Sequence, residues 1–74
     1  MKRESTARIQ KAEEIINQID QRKLTKDQRD TFSTIQSFLV NAREALSGQD
    51  FLRASNLADK AQVLAEQLSK SLNP

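Results

Sequence analysis

From Phe32 to Leu72 the apolar residues recur every three or four positions on both sides of the chain's one glycine. Phe32, Ile35, Leu39, Ala42 and Leu46 form one stripe, flanked by Phe38 and Ala45. Phe51, Ala54, Leu57, Ala58, Ala61, Leu64, Ala65, Leu68 and Leu72 form the next. That spacing belongs to one buried face of an α-helix and does not fit the alternation of a strand. Gly48 stands just past the last periodic residue of the first stripe, where a left-handed C-cap is needed, and Asp50 is suited to cap the helix that follows. The stretch therefore predicts two antiparallel helices, 26–47 and 51–72, joined by a tight turn.

The N-terminal segment supplies a third helix, from about 3 to 21. Ile9, Ala12, Ile16 and Ile19 follow the same spacing and Ile15 widens the stripe, while Ala7, Lys11, Glu14 and Gln18 take the opposite face. Gln21-Arg22-Lys23 places cations near the negative end of that helix. The chain restarts at Leu24-Thr25-Lys26-Asp27-Gln28, where Thr25 and Gln28 have the spacing of a capping box and Asp27 lies in the first turn. In the third helix Ala54, Ala58, Ala61 and Ala65 make a seam along which a neighbouring backbone can come close, on a stripe wide enough to face two helices. Asn73-Pro74 ends this helix or leaves it frayed. The expectation is an all-α fold, an up-down-up antiparallel three-helix bundle with left-handed crossings near ~20°. The alternative is a long hairpin whose first helix packs on another chain.

A length of 74 residues allows one domain, 1–74, and a piece of a longer protein would read the same way. The core has to be built largely from small side chains, because eight alanines accompany 18 larger aliphatic and Phe residues. Cysteine and histidine are both absent, which removes disulfides, thiolate nucleophiles, the commonest zinc ligands and the side chain best suited to proton transfer near neutrality. No apolar run approaches the roughly 20 residues of a membrane span. Met1-Lys2-Arg3-Glu4 leads into a polar helix and not into the apolar core of a signal peptide, so the default compartment is the cytoplasm, with an exported piece of a longer protein as the open alternative. The net charge of +2 is too small to imply a charged partner from the overall field.

At the hairpin, Gly48, Asp50, Phe51, Ala54, Leu57, Ala58, Lys60 and Ala61 resemble the second half of a tetratricopeptide repeat. That family sets a glycine at the turn, an acidic or Asn cap, an aromatic residue, an alanine three positions later and another seven beyond. Gln49 makes the turn one residue longer than the family's, and Ser37, Val40-Asn41 and Glu44 stand where its aromatic, Leu-Gly and Tyr positions would fall. No second copy follows at the family's period. The resemblance implies hairpin geometry and a scaffold-like role, and it carries over no peptide-binding residue.

Two groups of residues are candidates for function. Val40, Leu52 and Val63 fall outside the stripes, and Leu52 and Val63 share one line of the third helix, which marks a candidate face for a protein partner or a second copy. Arg22, Lys23, Lys26 and Arg29 are candidate phosphate contacts, and they make a nucleic-acid-binding accessory domain the alternative function. Asp20, Asp27 and Asp30 interleave with these cations, and no base-reading residue accompanies them on a recognition helix. Glu13 and Glu14 project about 100° apart on a helix and do not converge on one metal or one reacting atom. The scattered serines, Ser33, Ser37, Ser47, Ser55, Ser69 and Ser71, lack a partner base. The chain is thus expected to be a non-catalytic helical interaction or structural module, with no cofactor, metal or small-molecule substrate.

Overall fold

The computed structural model describes residues 2–72; Met1, Asn73 and Pro74, and with them the expected end of the third helix, lie outside the described residues. Three helices pack against one another: α1 Lys2–Asn17, α2 Lys26–Ser47 and α3 Phe51–Leu72. There is no strand among the described residues. The second and third helices have the bounds that their apolar stripes predict.

The first helix stops at Asn17, short of the expected Gln21. Its last turn tightens, with the Gln18 N–H donating to the Ile15 carbonyl at 3.2 Å and the Ile19 N–H to the Ile16 carbonyl at 3.1 Å. Asp20 then turns its carboxylate onto the Arg22 N–H and caps a separate 3-10 helix, Gln21–Lys23. A short acidic side chain offers the backbone this alternative to a continuing helix. Arg22 and Lys23 accordingly lie in the 3-10 helix, and the last turn of α1 holds no basic residue. Leu24 follows in extended backbone, and its buried side chain anchors the connection in the core. The capping box of α2 is formed: the Gln28 N–H donates to the Thr25 hydroxyl at 3.2 Å, and the Thr25 N–H to the Gln28 side-chain oxygen at 2.9 Å.

The α2–α3 turn corrects the expectation at Gly48. The Gln49 N–H donates to the Leu46 carbonyl at 3.0 Å and the Asp50 N–H to the Ala45 carbonyl at 2.8 Å, the paired bonds of a Schellman motif. That pairing puts the left-handed position one residue after the cap. Gln49 therefore takes φ 62, while Gly48, the cap itself, has φ −83 and ψ 5. Asp50 caps α3 by accepting from the Arg53 N–H at 3.2 Å.

α3 is the central helix, in contact with α2 along its length and with α1 on its other flank, whereas α1 and α2 touch more sparingly. Ala54, Ala58, Ala61 and Ala65 have no exposed surface. Ile9, Ala12 and Ile16 close on that core from α1, and Phe32, Ile35, Leu39 and Ala42 from α2. The helix directions follow from the polar cross-contacts. Near the start of α1 the Ser5 hydroxyl donates to the Phe51 carbonyl at 3.3 Å and Arg8 Nη1 to the Ser55 hydroxyl at 2.6 Å, so α1 and α3 run parallel. Gln28, near the start of α2, meets Ser71 near the end of α3, so those two run antiparallel. The assembly measures 38 × 18 × 15 Å, about one 22-residue helix long.

A Cβ at Gly48 would stand 3.7 Å from the Ala45 and Glu44 carbonyl oxygens, in ordinary contact. Gly48→Ala is therefore expected to raise stability by about 0.4–1 kcal/mol by restricting the unfolded chain. Gln49→Gly should also stabilise, by about 0.5–1 kcal/mol, because it relieves a left-handed non-glycine residue. Urea denaturation of both variants checks the pair, and a loss of stability in either would contradict the turn geometry. In the seam the sign reverses: Ala58→Leu forces side-chain volume between close helices and should cost about 1–3 kcal/mol in the same assay.

Candidate functional site

The basic residues of the α1–α2 connection are placed by its caps. Asp20 holds Arg22 three times, through the backbone N–H at 3.0 Å, Nε at 3.2 Å and Nη2 at 3.3 Å. Lys23 is exposed on the 3-10 helix, beside a hollow that Ile15, Ile19 and Leu72 help to line. The capping box sets Lys26 at the first position of α2, with Arg29 three residues on, and both are exposed. All four cations thus reach the surface around one connection, but Arg22 is folded onto the Asp20 carboxylate. Asp27 sits in the same first turn as Lys26.

The hydrogen bonds from the Arg22 side chain and backbone, with the charge of Lys23 beside them, hold the Asp20 carboxyl below its ordinary pKa. A depressed carboxylate stabilises the fold at pH values above its unfolded pKa, and the contribution is lost as pH falls through the folded value. Ordering of the 3-10 turn should therefore weaken only in acid. Carboxyl NMR titration is expected to show Asp20 titrating below the usual aspartate value, and Arg22→Ala should move it back up. An unchanged midpoint in that variant would rule out the assigned cause.

The apolar candidates separate into two places. Val40 is 54% exposed and lines a groove between α1 and α2 with Ile16 and Leu39. The Glu13–Arg43 ion pair closes one part of that groove. Val63 is 45% exposed and lies in a different groove, between α2 and α3, with Phe38, Leu64, Asp59 and Lys60. Leu52, at 63% exposed, stands on the same line of α3 as Val63, eleven residues nearer its start. Leu52 and Val63 thus share one line of α3, about 16 Å apart, and Val40 lies on the other flank of α2.

Three other residues are better placed than their sequence positions suggest. Phe38 is only half-buried and walls the Val63 groove; its position one residue before Leu39, off the main stripe, is the signal for this. Ser5 is fully buried, and its spacing of four before Ile9 continues the α1 stripe. Leu24 belongs to the core although it falls between the α1 and α2 stripes and in neither.

Glu13 pairs with Arg43 while Glu14 is exposed, so the adjacent carboxylates diverge. Among the described residues no Asp, Glu, Lys or Arg is buried, and no helix is long and apolar enough to cross a membrane. What the surface offers is apolar grooves edged by charge. Comparison with known protein families, with characterised proteins and with solved structures finds no match to this chain.

Proposed function

We propose that the chain works by contact, as a non-catalytic helical interaction or structural module. The observation that carries this is the pair of large aliphatic side chains, Leu52 and Val63, left in solvent on the outer line of α3, with the half-buried Phe38 and Leu64 beside Val63. The core needs every large side chain it can recruit, since α3 contributes chiefly alanine to it. Apolar surface kept out of such a core is what a docking face presents. Phosphate contact through Arg22, Lys23, Lys26 and Arg29 has less support, because Arg22 already hydrogen-bonds Asp20 and Asp27 stands in the same turn as Lys26.

Sedimentation velocity of a fluorescently labelled chain in cell extract tests this reading. The natural chain is expected to sediment as a complex, and the double variant L52K/V63K as a folded monomer by circular dichroism and sedimentation. Both positions are exposed, so the variant should keep its helices. Monomeric sedimentation of the natural chain both in extract and as purified chain up to about 1 mM, or identical complexes from both chains, would overturn the contact reading.

A further inference from the structure

Resting on that reading, we infer that the partner is a second copy of this chain, bound through α3 against α3 in antiparallel sense about a two-fold axis close to Val63. A two-fold interface must match itself: each patch has to carry both members of every contact. The outer line of α3 meets this condition. Asp59, Val63 and Lys70 lie at spacings of four and seven, which keeps them on one side of the helix. Asp59 and Lys70 are both exposed, and neither has an ion-pair partner within the chain among the described residues.

Eleven residues separate the two charges, about 16 Å along the helix, with Val63 between them. Reversing one α3 against the other near Val63 therefore sets each Asp59 beside the second copy's Lys70, at both ends of the contact. The axis then lies midway between the two charges, between Leu64 and Ala65, with the two Val63 side chains flanking it. An antiparallel pair places like sides of the two helices together, so residues on the Asp59 edge meet residues on the same edge. Lys70 is on that edge, whereas Lys60, about 100° round the helix from Asp59, lies across Val63 from it. Phe38 adds apolar surface beside Val63 from α2. Leu52 falls beyond the contact, toward the far end of the helix.

The test uses the purified full chain in sedimentation velocity and equilibrium from about 10 µM to 1 mM, where weak dimers are seen. The natural chain is expected to dimerise, Val63→Lys to remain monomeric, and Leu52→Lys to dimerise nearly as well as the natural chain. Asp59→Lys and Lys70→Glu should each weaken dimerisation about tenfold, since each turns two attractions into repulsions. An equimolar mixture of these two variants should recover it, because every cross-pair is then complementary. Purified natural chain that stays monomeric throughout would overturn the second copy as partner, and a complex persisting in extract would then leave the contact reading standing. Dimerisation without recovery in the mixture would overturn the α3–α3 arrangement.

Discussion

The close approach of helices along the alanine seam of α3 is the constraint on which the rest of this bundle depends. Ala54, Ala58, Ala61 and Ala65 present only methyl groups, and all four are sealed from solvent. Two helices can close on one only if that helix is slender, and here the central position falls to the helix with the smallest side chains. The larger residues that fill the interior come mainly from the flanks: Ile9 and Ile16 on one side, Phe32, Ile35 and Leu39 on the other. Methyl groups give less burial free energy than isobutyl groups. The seam compensates by bringing more of the neighbouring surfaces into van der Waals range.

This economy shapes the exterior as well. A core this short of large side chains still leaves Val40, Leu52 and Val63 outside it, in two separate places. The charged residues nearby are unburied, and Glu13 and Arg43 pair across the α1–α2 groove.

The fold was largely legible in the sequence because its elements repeat one signal. The stripes of α2 and α3 are long and unbroken, and Thr25–Gln28 and Asp50 mark their starts, so both helices have the bounds read from them. Legibility failed where two local rules compete. At Asp20 a capping carboxylate and a continuing helix are both open to the chain, and only the packed structure selects the 3-10 turn. At the hairpin, glycine signals a left-handed residue somewhere near the helix end, but the hydrogen-bond count decides which residue, and it is Gln49. For the surface, periodicity identified Val40, Leu52 and Val63 as outward residues and set Leu52 and Val63 on one line of α3, but not where Val40 stands relative to them. That depends on how α1 and α3 flank α2, a relation with no signature in any single helix.

A seam of methyl groups has one further property: it is smooth. Large interlocking side chains resist translation of one helix along another, whereas a row of alanines resists it little, and Ile9, Ala12 and Ile16 could meet the seam one turn higher or lower with similar apolar contact. The fully buried Ser5 hydroxyl reaches the Phe51 carbonyl, and Arg8 reaches the Ser55 hydroxyl, in one axial alignment of α1 on α3. A slip by one helical turn, about 5.4 Å, would carry both donors away from these acceptors. The polar contacts at the start of α1 thus act as an index pin on a sliding joint, adding little to the depth of the energy well while deciding where along the seam it lies.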